Sequence, residues 1–366
     1  MRFVSTKDEL LKGFGVVVGS LPQKPNLPIL NNFLLEATKG RLKVIATDLD
    51  STTAYEIPVK VEKEGRTTIP GRLVVGFCQA ATSDKISVEV VGEKATVRTG
   101  NAEAKLQTIS PDEFPPTTDF VVGEEATTSK ASFSKAIPEV CVCASPEGGR
   151  PILTGVVVKP HDKGLELVAT DGYRLARKRI RSVGYIDGVV PSRALLEISK
   201  ALAAEDDEEV TLAVNKEINQ VQTRAARLEI TTRLLEGDYP NYEQIIPQNY
   251  STEISADTKD LIDALKQTVI LSRDLGNVVG LEIRGGKLSI LANTAEVGEA
   301  RAEVAAKTTG EDIKIAFNSK FLLDSLSVVK TGSVVIKFSG STSAALVQGV
   351  GTEDLIHLVM PVRTQG

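Results

Sequence analysis

The sequence predicts an α+β protein built from three tandem copies of one domain, and three observations carry that reading. The chain has 366 residues, more than a single ordinary core organises. One strand pattern occurs three times, as Gly40-Arg41-Leu42-Lys43-Val44-Ile45-Ala46-Thr47-Asp48, Gly164-Leu165-Glu166-Leu167-Val168-Ala169-Thr170-Asp171 and Gly286-Lys287-Leu288-Ser289-Ile290-Leu291-Ala292-Asn293-Thr294. Thr47, Thr170 and Asn293 follow one another at intervals of 123 residues, and the flanking segments repeat with them.

In each copy a glycine turn leads into apolar residues at alternate positions, the period of a half-buried strand leaving a hairpin. Leu27-Pro28-Ile29-Leu30 and Arg150-Pro151-Ile152-Leu153 are expected to open the strand before the hairpin, a place held in the third copy by Val278-Val279-Gly280-Leu281. Downstream, Ile69-Pro70-Gly71-Arg72, Val190-Pro191-Ser192-Arg193 and Ala316-Phe317-Asn318-Ser319 each precede an apolar helical pattern. Asp112-Glu113-Phe114-Pro115 matches Gly237-Asp238-Tyr239-Pro240. These repeats set domains at 1–125, 126–250 and 251–366, each with two helices and about eight antiparallel strands. The first helices are expected near 6–18, 132–143 and 258–271, and the second near 72–82, 192–203 and 319–330. Ser192 and Asn318 read as N-caps, with Ser132 and Thr258 as weaker candidates. Lys85–Val90 and Glu209–Val214 alternate as strands.

Composition narrows the function. A formal charge of −5 argues against a simple basic module that holds nucleic acid by neutralising phosphates, so any DNA contact must use locally placed cations. Aromatic residues make up 4% and tryptophan is absent, which disfavours a stacking platform for single strands and leaves duplex as the expected form. No apolar run is long enough to cross a bilayer, and the N-terminus becomes charged before a signal sequence could form, so a cytoplasmic location is expected. Cys78, Cys141 and Cys143 read as small buried apolar groups.

Val168-Ala169-Thr170-Asp171-Gly172-Tyr173-Arg174-Leu175-Ala176 resembles a signature of the bacterial DNA polymerase III beta subunit, the beta sliding clamp family. Leu27-Pro28-Ile29-Leu30, Ala46-Thr47-Asp48-Leu49, Glu236-Gly237-Asp238-Tyr239-Pro240-Asn241-Tyr242 and Leu358-Val359-Met360-Pro361-Val362-Arg363 resemble further family motifs, in the family's order over the whole chain. The resemblance implies a head-to-tail homodimer forming a six-domain ring around duplex DNA, with helices lining the hole. It implies no catalytic activity and no cofactor, and ring opening by a separate clamp loader. Clients would be the polymerase III catalytic subunit, other polymerases and repair proteins, held through short linear peptides.

The same resemblance implies a peptide groove at Leu153, Thr170, Gly172, Tyr173, Arg174, Leu175, Pro240, Gln244, Ile245, Thr342, Ala344, Val359, Met360, Pro361, Val362 and Arg363. Apolar walls suit a leucine or phenylalanine anchor, and a flexible methionine adapts to different clients. Gly172 also fits a positive-φ turn, Arg174 a stem packed along the sheet, and Met360-Pro361 the end of an edge strand. Tyr173 stands where relatives often carry histidine, and Gln244 where a basic residue is frequent. DNA-facing candidates are Lys24, Arg72, Arg193, Lys200, Lys12 and Lys266, with Lys7, Lys135, Lys259 and Lys320 as further cations on or near the inward helices. Subunit closure would use Leu106 against Ile270 and Leu271, with Ala104 where relatives often place an aromatic residue.

Other chemistry finds little footing. His161 and His357 are the only histidines and form no metal-binding spacing, and there is no phosphate-binding glycine loop. The run Glu205-Asp206-Asp207-Glu208-Glu209 reads as a solvated turn rather than a metal site, and Asp48 and Asp171 as turn formers rather than paired catalytic carboxylates. The rival classes are a carboxylate-dependent DNA enzyme and a repeat-built scaffold with no DNA role.

Overall fold

The structure is a computed structural model that describes all residues except 117–119, 147–148, 271–276, 295–297 and 364–366. Six helices are present among the described residues: α1 Lys7–Val17, α2 Gly71–Gln79, α3 Lys130–Cys141, α4 Ser192–Leu202, α5 Thr258–Val269 and α6 Ser319–Val328. Each lies within two or three residues of its expected place. Twenty-six strands accompany them, nine, eight and nine in the three sequence domains.

The chain folds into two compact units, residues 1–134 with 182–234, and residues 135–181 with 235–366. In the first, one antiparallel sheet runs in the order Gly65–Pro70, Asn32–Thr38, Arg41–Thr47, Ser51–Pro58, Leu228–Arg233, Gln220–Ala225, Glu209–Asn215, Glu124–Ser129. Ser51–Tyr55 of the first repeat thus pairs directly with Leu228–Thr232 of the second. A five-stranded sheet completes the unit, in the order Lys60–Lys63, Arg2–Thr6, Lys85–Val91, Lys94–Thr99, Ala102–Gln107. Helix α1 buries Leu10, Phe14 and Val17, and Phe14 meets Phe33 at 5.5 Å between ring centroids. A Cβ at Gly13 would fall 2.4 Å from Ile57, so only glycine lets α1 lie this close to the strand Ser51–Pro58.

The second unit repeats the plan. Its long sheet runs Gly155–His161, Gly164–Thr170, residues 174–181, Leu355–Val359, Ala345–Gly349, Ser333–Phe338, Thr252–Asp257, Ala306–Gly310. Here Arg174–Lys178 of the second repeat pairs with Leu355–Val359 of the third. A four-stranded sheet, Gly298–Val304, Lys287–Thr294, Val278–Arg284, Ile313–Asn318, stands beside it. Leu261 and Leu265 of α5 and Leu322 and Leu326 of α6 fill the core with Phe317 and Phe338.

The three repeated strands are hairpin strands as expected, pairing Thr38 with Arg41, His161 with Gly164 and Arg284 with Lys287 at their turns. Several local readings need correction. Pro28–Asn31 and Pro151–Thr154 form 3-10 turns that lead into the strands Asn32–Thr38 and Gly155–His161 instead of opening them. Proline has no N–H for a ladder and a φ suited to a first helical turn. Asn318 does cap α6, accepting from the N–H groups of Lys320 and Phe321. Ser192 is instead the first residue of α4, with Pro191 at the cap position. Thr258 likewise starts α5, where the Asp257 carboxylate accepts from Lys259 and Asp260. At α3 the Ser129 hydroxyl accepts from the N–H of Ser132, so Ser132 lies inside the helix. The three displaced cap positions, Ser129, Pro191 and Asp257, are each the residue that ends the preceding strand, one to three positions before the expected one. The acidic run also divides. Glu205 is buried beside Tyr55, the Asp207 carboxylate accepts from the N–H of Ala226, and Asp206, Glu208 and Glu209 are exposed. All three cysteines are buried.

Candidate partner groove

The signature segment forms a tight turn held by its own side chains. The Thr170 hydroxyl donates to the carbonyl of Arg174 at 2.6 Å and accepts from the N–H of Gly172 at 3.0 Å. The Asp171 carboxylate accepts from the N–H groups of Tyr173 at 2.9 Å and Arg174 at 3.0 Å. Gly172 takes φ of +91° with open space where a Cβ would stand, so the turn needs glycine for its backbone and leaves the surface above it clear. Asp171 is therefore a turn former.

The next strand faces two ways. Arg174 points to the helical side, where its guanidinium donates to Asp171 at 2.9 Å and Asp324 at 2.6 Å and lies over the Phe321 ring at 4.4 Å. Burial lowers the pKa of Arg174, but Asp324 and Asp171 outweigh it and raise the net value, so the guanidinium stays charged although it is only 8% exposed. His357 occupies the same face, paired across the ladder with Ala176. Its ring is wholly buried, with Nδ1 3.6 Å from the Cys143 sulfur and Nε2 unpartnered. Burial first, then the nearby Arg174 charge, lowers its pKa to about 3, so the imidazole is neutral. Burial likewise pushes the Cys143 thiol up to about 12.

Leu175 projects from the opposite face, level with Leu358 on one neighbouring strand and Thr170 on the other. The strap 235–250 is fixed to this sheet by its tyrosines. The Tyr239 hydroxyl accepts from the N–H of Thr170 at 3.0 Å, and that of Tyr242 donates to Glu166 at 2.6 Å. Burial, then the Glu166 carboxylate, raises Tyr242 to about 12. Pro240, Gln244 and Ile245 ride exposed on this strap. At the strand end the Met360 N–H donates to the carbonyl of Tyr173 at 2.8 Å and that of Val362 to Ala316 at 2.8 Å, placing Met360 beside the turn.

The expected site residues thus divide into a buried frame and an exposed rim. Leu153, Thr170, Arg174, Leu175, Ala344 and Val359 are buried, Pro361 is intermediate, and Gly172, Tyr173, Pro240, Gln244, Ile245, Thr342, Met360, Val362 and Arg363 are exposed. Tyr173 at 67%, Ile245 at 49% and Met360 at 39% leave apolar surface uncovered. The side chains of Gln244, Thr342 and Arg363 make no hydrogen bond or ion pair to the others among the described residues. Phe321 and Asp324, which anchor Arg174, and Leu358, which extends the apolar floor, were not among the expected residues. No spacing signal linked α6 to a turn 150 residues earlier.

The expected cations differ in exposure and pairing. Lys24, Arg72, Arg193, Lys200 and Lys266 are exposed, as are Lys135, Lys259 and Lys320, with Lys200 3.9 Å from Glu197 and Lys135 3.8 Å from Glu139. Lys12 pairs with Asp206 at 3.4 Å, an Arg72 Nη donates to the carbonyl of Leu21 at 3.0 Å, and Lys7 donates to that of Ala81 at 2.6 Å. Ile270 is 61% exposed, Leu106 is intermediate, and Leu271 lies outside the described residues.

Three repeats, sheets continued from one repeat into the next, and an uncovered apolar rim define a repeat-built binding protein of the DNA-clamp class. Models of the N-terminal, central and C-terminal domains of the DNA polymerase III beta subunit match residues 1–118, 127–241 and 243–363 in order. GriR, a beta sliding clamp homolog from Streptomyces muensis, is 30% identical over 377 residues covering 99% of each chain, and the beta sliding clamp of Synechococcus elongatus is 29% identical over 373 residues with 99% coverage of both. The solved sliding clamp of Pseudomonas aeruginosa bound to griselimycin is 27% identical with a TM-score of 0.95 over 100% of both chains. That of Bacillus subtilis is 26% identical with a TM-score of 0.93 over 100% of this chain and 99% of its own. The chain belongs to the DNA polymerase III beta subunit family, the beta sliding clamps, which are processivity factors without catalytic activity.

Proposed function

We propose that two copies of this chain close head to tail into a ring around duplex DNA, and that the rim of Tyr173, Ile245 and Met360 over the Leu175 floor receives short peptides from client proteins. The observation that carries the reading is that turn: a glycine held at positive φ leaves an apolar surface open beside a buried Arg174 paired with two carboxylates. Burying two large apolar peptide side chains there contributes roughly 3–6 kcal/mol before ordering costs, which gives the weak, exchangeable binding a shared tether needs. Clients are the polymerase III catalytic subunit, the clamp loader, other polymerases and repair proteins, and the place of action is the cytoplasm at the nucleoid. Among the described residues no helix is long and apolar enough to cross a membrane.

A ring that cannot leave its DNA sideways needs only a few sequence-independent phosphate contacts, which accords with a net charge of −5. The exposed Lys24, Arg193 and Lys266 are the favoured contacts; Lys200, Lys12 and Arg72 rank lower because each already has an acceptor. Leu106 and Ile270, with Leu271, are proposed at the subunit contact. A heterologous contact of this kind must close or propagate into a filament. The domain limits 1–125, 126–250 and 251–366 are the proposed repeats of the ring. Retention on circular versus linearised duplex, after assembly with a bacterial clamp loader and ATP, tests the reading. Retention on the circle with loss from linear ends is expected; equal behaviour on both means ordinary binding or a scaffold role.

A further inference from the structure

Arg177 stands two residues beyond Leu175 and projects from the same sheet face, level with Ile356 on one neighbouring strand and Val168 on the other. Its side chain is only 14% exposed, and its Nε is buried without a hydrogen-bond acceptor. The closest carboxylate, Glu166, is 3.8 Å away and already engaged. It accepts from Tyr242 at 2.6 Å and Arg179 at 2.7 Å, with the Lys159 ammonium at 3.9 Å. Lys159 is in turn matched by Glu243 at 2.8 Å. Two guanidinium groups therefore share one carboxylate, leaving one surplus positive charge under the strap. Burial first, and then the like charge of Arg179, lowers the pKa of Arg177 despite Glu166. The carboxylate nearest Arg177 is the one that Tyr242 of the strap bonds, which places Arg177 where the strap meets the sheet. A buried guanidinium N–H without a hydrogen-bond acceptor is costly, and such a group calls for a partner.

We propose that Arg177 is a carboxylate receptor at the end of the partner groove, taking a side-chain or C-terminal carboxylate of a client peptide. This rests on the groove reading above. One surplus charge matches a monoanion better than a doubly charged phosphate, and a guanidinium presents paired donors to the two carboxylate oxygens. The buried apolar neighbours Leu175, Leu358, Ile356 and Val168 would keep water from the pair. Because the whole chain carries −5, an acidic peptide gains nothing from its overall charge, and any preference for it is local.

The test measures fluorescence anisotropy of labelled peptides carrying leucine and phenylalanine anchors, on the full-length protein and on Arg177→Met. One pair of peptides differs by glutamate against glutamine, another by a C-terminal acid against an amide. In at least one pair the acid form is expected to bind about tenfold tighter to the wild type, with the ratio falling to near one in Arg177→Met and the amide form binding both proteins alike. The pair that shows the ratio identifies the source of the carboxylate. Equal affinities of acid and amide forms for the wild type, or a ratio that survives in Arg177→Met, overturns the proposal while the groove stands. Absence of binding by every peptide sinks the groove reading itself. Should Arg177→Met not fold, raising salt from about 50 to about 500 mM must weaken the acid form selectively on the wild type, and an equal response of both forms rejects the receptor.

Discussion

The Thr47-Asp48 turn and the Thr170-Asp171 turn are one construction used twice. Thr47 donates to the Ser51 carbonyl as Thr170 does to that of Arg174, and Asp48 accepts from Asp50 and Ser51 as Asp171 does from Tyr173 and Arg174. Even the closing contact repeats, since the N–H of Arg233 donates to Asp50 as that of Met360 does to Tyr173. Their linings differ. Thr52 and Thr231 stand where the second turn has Leu175 and Leu358, Ser51 and Thr232 bond each other in place of Arg174 and Val359, and Leu49 at φ +80° replaces Gly172. The backbone therefore supplies a junction between repeats, and the side chains decide whether it is lined by apolar groups or by hydroxyls.

The largest expected divergence between the two junctions comes with acid. His357 is matched in the first junction by Ile230, since each lies opposite the third residue after its turn. The folded-state pKa of about 3 lies below the usual value of 6.5, so the stability from keeping this imidazole neutral is complete above pH 6.5 and is lost as the pH falls toward 3. The loss approaches about 1.4 kcal/mol for each pH unit within that window. Urea titrations between pH 7 and pH 4 should show His357→Ile losing this slope, and an unchanged slope would contradict the buried neutral ring. Next in size, Arg174→Ala strands two carboxylates and is expected to cost about 3 kcal/mol in denaturant titration, whereas Ser51→Ala, its counterpart, should cost about 1 kcal/mol or less. Ile245→Asp should weaken an anchored client peptide about tenfold or more, while Leu49→Asp at the first junction should leave that affinity unaltered, as isothermal titration would reveal. The smallest effect is in the turns. Leu49→Gly should relieve about 1 kcal/mol of left-handed strain, and Gly172→Leu should introduce a similar strain and cover the groove, both visible in melting temperature.

Much of this comparison is legible in the sequence because short-range chemistry writes itself locally. Alternating apolar residues and a glycine turn mark the three hairpins, and Thr-Asp at a strand end marks the tight turn. The caps at Asp257 and Ser129 fall just outside the helical pattern, where an extended strand and a helix compete for the boundary. Long-range electrostatics leave no such trace. Nothing near Arg174 announces Asp324 on α6, and nothing near Arg177 announces that its Nε is buried without an acceptor. Glu205 sits in a run of five acidic residues whose solvated character describes some of its members and not the one that folding carries inward.

The pairing of Ser51–Tyr55 with Leu228–Thr232, and of Arg174–Lys178 with Leu355–Val359, bears on how such a chain can be shortened or shuffled. A cut between repeats would leave a bare row of amide and carbonyl groups along each severed strand, ready to recruit any other unpaired edge. The unit that duplicates along the gene is therefore not a unit that can be excised, and fragments of this chain are expected to aggregate unless the cut edge is capped or charged.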